Sequence, residues 1–142
     1  MTIGRVIEGR DGNIVTCEAE ASVREAVALL AEKRIGALPV LENGAVAGIF
    51  SERDVIYGLQ KEGPALLERK VGEVMTKPAV TAEADMQVLS ALSLMTRRRI
   101  RHLPVLKDGR MIGFVSIGDL VKHRIDRIES EAEALRVYIQ TA

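Results

Sequence analysis

The chain repeats itself once, and this repeat constrains the fold more than any other feature of the sequence. Shifted by 65 residues, the segment 15–55 aligns without a gap over the segment 80–120, with 17 identical pairs in 41 positions. Unrelated segments agree at roughly one position in fifteen or twenty. Two copies, in place of an open array, indicate a closed unit with pseudo-symmetry.

Both copies predict the same first half. A short apolar stretch ends at Thr16 or Thr81 and is followed by an amphipathic helix, which in copy 1 opens with a capping-box pattern at Ser22 and Glu25. We expect these helices to bury Ala26, Val27, Leu30 and Ala31 in copy 1 and Leu89, Leu92 and Met95 in copy 2.

The second half of each copy predicts a hairpin and another helix. Asn43-Gly44 and Asp108-Gly109 favour tight turns between antiparallel strands, because both turn positions need a positive φ. The second helix opens at Ser51 or Ser116. Each unit is therefore β-α-β-β-α. A short sheet needs a partner for its apolar face, so the two repeats of this mixed α/β fold should pack sheet to sheet about a pseudo-twofold axis.

The segments outside the repeats are a linker and a tail. Gly63-Pro64 should end the last helix of copy 1. The tail, 125–142, predicts a charged C-terminal helix with an apolar stripe at Ile125, Ile128, Leu135 and Ile139. The stripe has two interpretations: a surface for docking or dimerisation, or a helix that covers its own core.

Charge and composition exclude several classes of partner. Lys plus Arg and Asp plus Glu each number 20, so no long-range field draws nucleic acid or an anionic membrane. Trp is absent and aromatic residues make up 3%, which leaves out the stacking platforms of single-strand binders. The polar N-terminus does not resemble a signal peptide, and no apolar run approaches a membrane span. With Cys17 as the single cysteine, we expect a cytoplasmic protein.

Nothing in the sequence favours catalysis. Cys17 stands alone, and His102 and His123 have no context for a triad. The chain has neither a Cys/His metal spacing nor a P-loop, so we expect no metal and no catalytic cofactor.

The doubled pattern IGALPVLENGAVAGIFSERD and IRHLPVLKDGRMIGFVSIGD, with GEVMTKP before the second copy, resembles tandem CBS domains (cystathionine β-synthase domain pairs, or Bateman modules). Among these, the chain is most similar to small bacterial proteins made only of two CBS repeats, with no catalytic barrel attached. The resemblance implies repeat 1 at 3–60, a linker at 61–73, repeat 2 at 74–124 and the C-terminal helix at 125–142.

The resemblance also implies a function. CBS pairs bind adenosine ligands in clefts between their repeats, so the expected function is a non-catalytic energy or redox sensor for AMP, ADP, ATP or NAD(H). Family members often pair into a flat disk, which implies a homodimer, and they regulate another protein, here unidentified. The alternative is a ligand-free module for dimerisation or for docking on an enzyme or transporter.

Two Ser-x-x-Asp segments carry the expected site. Ser51 with Asp54, and Ser116 with Asp119, lie where a strand ends and a helix begins. The helix N-terminus and the hydroxyl suit a phosphate, and a carboxylate one turn later can accept from two ribose hydroxyls. Simple helix capping is the alternative, and the two roles are compatible.

Basic residues near these segments have their own alternatives. Arg53 contacts a phosphate or forms an exposed salt bridge. In similar proteins a basic residue before the LPV strand contacts phosphate, which implicates Arg101. His102 is a ligand contact or a partly buried structural residue, and Arg99 contacts phosphate or belongs to a solvated run.

The resemblance places further residues around the adenine. They either contact the ring and the edge of its pocket or serve only as structural strand residues. These residues are Val15, Thr16, Ala37, Pro39, Val80, Thr81 and Pro104.

Overall fold

The computed structural model describes residues 1–8, 10 and 12–141, and it contains the predicted unit twice. Ala142, the last residue of the expected tail helix, lies outside the described residues. The first half consists of α1 (Ile3–Ile7), β1 (Cys17–Glu18), α2 (Val23–Lys33), β2 (Ala37–Glu42), β3 (Ala45–Ser51) and α3 (Glu52–Glu62). After a 3-10 helix (Gly63–Glu68), the second half consists of α4 (Val71–Val74), β4 (Ala82–Glu83), α5 (Val88–Arg98), β5 (His102–Lys107), β6 (Arg110–Ser116) and α6 (Ile117–Thr141). The predicted mixed α/β fold is confirmed.

The two sheets have the same topology and the same register. In each, the first strand pairs in parallel with the second, which pairs antiparallel with the third. The hairpin turns are those that the sequence predicts. Asn43 and Asp108 have φ of 53°, and the glycines that follow have φ of 79°.

The helices α2 and α5 bury equivalent faces, although two of the expected core positions are wrong. The buried residues are Val23, Ala26 and Leu30 in α2 and Val88, Ala91 and Met95 in α5. Ala31 is exposed. Leu89 is 58% exposed because it lies on the solvent-facing side of α5, as the equivalent Arg24 does in α2.

Each short helix that precedes a copy in sequence packs on the other copy in space. The backbone N–H groups of Ile3 and Gly4 in α1 donate to the carbonyls of Met86 and Ala84, each at 2.9 Å. Conversely, the N–H of Gly72 in α4 donates to the Ala19 carbonyl at 2.9 Å. Ile3 is fully buried in the core of copy 2. This exchange ties the two copies together at both ends.

The last helix is longer than the repeat requires. The expected C-terminal helix and the final helix of copy 2 form one element, α6, that packs on α5, β6 and α1. Leu120 is its one buried residue among those described, and the remainder extends away from the core.

Candidate functional site

Two clefts lie between the copies, and each draws its walls from both. Cleft 1 has a volume of about 440 Å³ and cleft 2 of about 740 Å³. Cleft 1 is lined by Ile7, Arg10, Gly12, Asn13, Ile14, Val15, Ile35, Gly36, Ala37, His102, Ile112, Gly113, Phe114, Ser116 and Asp119. Cleft 2 is lined by Gly36, Ile49, Ser51, Glu52, Arg53, Ile56, Tyr57, Thr76, Pro78, Ala79, Val80, Arg98, Arg99, Ile100, Arg101 and His102.

The Ser-x-x-Asp segment of copy 1 caps α3 at the edge of cleft 2. The N–H of Ser51 donates to Asp54 Oδ2 at 2.9 Å, and the N–H of Asp54 donates to Ser51 Oγ at 3.4 Å, which completes a capping box. The other carboxylate oxygen, Oδ1, accepts from Thr76 Oγ1 at 3.0 Å. Asp54 is thus held by two elements, α3 and the segment after α4.

The equivalent segment of copy 2 makes the same cap but has a different second partner. The N–H of Ser116 donates to Asp119 Oδ2 at 2.8 Å, and the N–H of Asp119 donates to Ser116 Oγ at 3.0 Å. Asp119 Oδ1 forms an ion pair with Arg10 at 3.5 Å. The capping interpretation therefore holds in both copies, and it leaves one face of each carboxylate for other partners.

The two clefts differ strongly in charge. Among the residues that the structure describes, four arginines line cleft 2, against the single carboxylate of Glu52. The described charged residues that line cleft 1 are Arg10 and Asp119, which form an ion pair. The wider cleft is therefore the one suited to a polyanion.

His102 lies between the clefts and lines both of them. Its ring stacks on Phe114, with centroids 5.4 Å apart and an interplanar angle of 14°. Burial lowers the pKa of His102 below 6.5; nearby Arg101 acts in the same direction, and the carboxylates of Asp119 and Glu52 oppose it. The imidazole is therefore neutral at neutral pH, and its partly buried ring separates the two clefts.

The structure brings most of the predicted site residues to the clefts. Val15, Ala37, Ser116 and Asp119 line cleft 1, Ser51, Arg53, Val80 and Arg101 line cleft 2, and His102 lines both. Five others are not among the lining residues of either cleft: Thr16, Pro39, Asp54, Thr81 and Pro104.

The five remaining residues have identifiable positions. Pro39 and Pro104 are buried in β2 and β5, paired with Ile49 and Phe114. Thr16 and Thr81 directly precede β1 and β4. Asp54 sits one hydrogen bond behind the wall of cleft 2, through its bonds to Ser51 and Thr76.

Sequence reasoning missed several lining residues. Arg10 lies outside the repeated segment, so no comparison of the copies points to it. The same holds for Thr76, which lies outside the aligned segments 15–55 and 80–120. Gly36, which lines both clefts, could have been predicted, because it is the copy-1 equivalent of the candidate residue Arg101.

Cys17 has the surroundings of a core residue. Cys17 is buried, and burial, assisted by Glu18 and Glu25, raises the pKa of its thiol to about 11. The part of the chain that the structure describes holds no group of three or more His, Cys, Asp or Glu arranged for a metal ion. Across the same residues, no helix has the length and apolar character needed to span a bilayer.

Comparisons with known proteins agree with this architecture. The family model for the CBS domain matches residues 10–61 and 71–126. The chain is 39% identical over 135 residues to the CBS domain-containing protein CBSX3, mitochondrial, of Arabidopsis thaliana, an alignment that covers 92% of this chain and 66% of that protein. The chain thus spans just under two thirds of this relative's length.

Two solved structures are close in fold. The CBS-domain containing protein ATU1752 from Agrobacterium tumefaciens superposes with a TM-score of 0.82 at 34% identity, over 87% of this chain and 99% of that one. The structure of CBSX2 in complex with AMP superposes with a TM-score of 0.75 at 27% identity, over 88% of this chain and 96% of that one.

Proposed function

The chain belongs to the CBS domain family, as a pair of CBS domains that forms a regulatory module, and from that premise we propose that it binds an adenine nucleotide in cleft 2 without catalysing a reaction. The candidate ligands are AMP, ADP, ATP and NAD(H). The observation that carries the proposal is the group of four arginines lining cleft 2, beside a helix N-terminus. The AMP complex of the relative CBSX2 supports an adenosine ligand.

The phosphate groups would occupy the basic part of cleft 2. Arg53 comes from the first turn of α3, where the helix dipole also favours an anion, whereas Arg101 comes from the segment before β5 in copy 2. A phosphate held by both would join the two copies. Guanidinium groups suit this task because they remain charged and can donate two parallel hydrogen bonds to phosphate oxygens.

The base and the ribose would occupy the rest of cleft 2. Ile49, Val80 and Ile100 give it an apolar wall. The ribose would reach Ser51 and, with a small rotation of Thr76 away from Oδ1, the carboxylate of Asp54. In this arrangement the ligand would lie across both copies, and Asp54 would have the role that the resemblance implies for it.

Binding across the two copies provides a regulatory output. A ligand that contacts both halves stabilises the arrangement that brings its contacts together, to the extent that its affinity differs between arrangements. We propose that the module works as a homodimer and that this change is transmitted to a regulated partner.

Isothermal titration and thermal shift with adenosine, AMP, ADP, ATP and NADH test the proposal. We expect measurable binding of the nucleotides, with adenosine weakest because it makes no contact with the arginines. If none of the five ligands produces heat or a shift in melting temperature, the nucleotide proposal is wrong.

The variant Asp54→Asn separates the ribose role from the capping role. The amide oxygen can still accept from the Ser51 N–H, and the NH2 group can donate to Thr76, so the cap survives. The amide offers one acceptor fewer to the ribose. We expect weaker binding of AMP with an unchanged melting temperature of the ligand-free protein, and unchanged AMP affinity would rule out the ribose contact.

The competing function is a ligand-free interaction module. Under that function, Asp54→Asn leaves partner binding intact and no nucleotide alters it. Under nucleotide sensing, pull-down of the regulated partner from lysate changes when ATP or AMP is added, and Asp54→Asn reduces that change.

A further inference from the structure

The last helix carries an apolar surface that the module does not cover. Ile117 and Leu120 attach the start of α6 to copy 2, and beyond Leu120 none of the described residues is buried. Large apolar side chains are nevertheless exposed along this extension, at Val121, Ile125, Ile128, Leu135 and Ile139. A solvated helix has no need of such a row, so the surface requires a partner.

The row has the spacing of a coiled-coil seam. With Ala132 included, the positions 121, 125, 128, 132, 135 and 139 alternate by four and three residues without interruption. This is the a/d pattern of a heptad repeat, with Ile125 and Ile139 at a positions and Leu135 at a d position. Since the d positions carry both Ile128 and Leu135, the side chains alone leave the number of strands open, and the homodimer of the proposed function sets it at two.

The charges beside the seam determine the orientation. Arg124 and Glu131 occupy g positions, and Glu129 and Arg136 occupy e positions. In a parallel pair, g meets e of the next heptad on the other chain, so Arg124 faces Glu129 and Glu131 faces Arg136, all of opposite sign.

The antiparallel alternative is disfavoured by the same residues. With the six seam positions aligned, Glu129 and Glu131 would each face their own copies, and Lys122 would face Arg136. Like charges at these positions oppose pairing. The e and g charges thus match one orientation and clash in the other.

We propose that α6 pairs with the α6 of a second copy as a parallel, in-register, two-stranded coiled coil over residues 121–139. The inference rests on the homodimer of the proposed function and specifies its interface, but it does not depend on nucleotide binding.

Three structural features make this pairing accessible. Leu120 occupies a c position, off the seam, so docking on the module and pairing between chains use different faces of α6. The first turns are already fixed on the module, which removes the nucleation cost that makes isolated short helices marginal. Glu131 and Arg136 now pair with Arg127 and Glu133 on their own helix, and such exposed pairs exchange at little cost.

Sedimentation equilibrium of the full chain tests the seam. We expect a dimer whose dissociation constant rises roughly a hundredfold in Ile128→Asp. Val137→Asp is the matched control, because Val137 is 49% exposed against 48% for Ile128 but lies at an f position, away from the seam. A monomeric wild-type chain, or equal effects of the two variants, overturns the proposal.

Cysteine cross-linking tests the orientation. In a Cys17→Ala background, Ile128→Cys and Leu135→Cys each meet their own counterpart in a parallel pair, so both should form interchain disulfides on mild oxidation. In the antiparallel alignment neither position faces itself, and the absence of cross-links overturns the parallel arrangement.

Charge exchange gives an independent measure. Glu131→Arg alone should weaken the dimer about threefold, and the double variant Glu131→Arg/Arg136→Glu should restore it. A double variant that dimerises no better than the single variant contradicts the proposed g–e contacts.

The AMP-induced thermal shift of Ile128→Asp separates the dimer proposal from the nucleotide proposal. If the monomeric variant still binds AMP, nucleotide binding by the module stands independently of the dimer. If the wild-type chain dimerises but binds no nucleotide, only the nucleotide proposal is wrong.

Discussion

Cleft 1 and cleft 2 differ in charge at related positions: the cleft-2 residues Arg53 and Arg101 correspond to Gly118 in copy 2 and to Gly36 in copy 1. The surrounding strands have the same topology and register, so the backbone plan is common to both. The side chains then give one cleft four arginines and the other a neutral ion pair. Two grooves built on the same backbone plan are therefore chemically unequal because of a few substitutions outside the core.

The largest effect is expected from making copy 2 resemble copy 1. Arg101→Gly/His102→Ala removes one guanidinium from cleft 2, and a charge-assisted hydrogen bond is worth about 1.5–3 kcal/mol. We expect ATP affinity, measured by calorimetry, to fall about tenfold to a hundredfold. Lys107→Ala is the control, because it removes a positive charge at the far end of β5, the strand that Arg101 precedes, and Lys107 lines neither cleft. Equal ATP affinities of the two variants would mean that the clefts do not differ in the way described.

The next effect compares two equivalent glycines, Gly48 in β3 and Gly113 in β6, each three residues before the serine that caps the following helix. A Cβ at Gly48 would lie 2.6 Å from the backbone oxygen of Thr76, whereas at Gly113 it would lie 2.7 Å from the terminal methyl of Ile7, which can rotate away. We expect Gly48→Ala to lower the free energy of unfolding by about 1–3 kcal/mol and Gly113→Ala to lower it by less. Urea unfolding of both variants measures this difference, and a larger loss for Gly113→Ala would contradict it.

A smaller effect concerns the ion pair of cleft 1. Arg10→Ala releases Asp119 Oδ1, which a ribose could then use. Because partly exposed pairs contribute at most about 1 kcal/mol, adenosine affinity at cleft 1 should rise by no more than about fivefold. Amide chemical shifts of Gly113 report on that cleft, and those of Ile49 on cleft 2. Weaker adenosine binding in Arg10→Ala would show that Arg10 contacts the ligand.

The smallest effect concerns the wall between the clefts. The pKa of His102 lies below 6.5 in the folded protein, chiefly because of burial, so the unfolded chain binds more protons just below that pH. The free energy of unfolding should therefore decrease as the pH falls through 6.5 and towards the folded pKa, and this contribution is absent at higher pH.

His102→Gln removes that titration, as Ala37 has none at the related position in copy 1. Urea unfolding at a series of pH values should give a flatter dependence in His102→Gln. Identical slopes in the variant and the wild type would mean that the neighbouring Asp119 and Glu52 compensate the burial of the ring.

Much of the fold followed from short-range patterns. The Asn-Gly and Asp-Gly turns and the caps at Ser51 and Ser116 involve residues within a few positions of one another, where geometry depends on local φ, ψ and hydrogen bonding. The prediction for Leu89 was wrong because it relied on the apolar character of the residue alone. The equivalent residue in copy 1 is Arg24, which is exposed and indicates a solvent-facing position.

The order of residues alone predicts two like units, their turns and caps, and part of the lining of the two grooves. The packing of α1 on copy 2 and of α4 on copy 1, the ion pair of Arg10 with Asp119 and the hydrogen bond of Thr76 to Asp54 became visible only in three dimensions. These contacts join segments that are distant in the chain, and at least one partner of each lies outside the aligned repeat, so neither periodicity nor comparison of the copies encodes them. They depend on how the assembled cores place one surface against another.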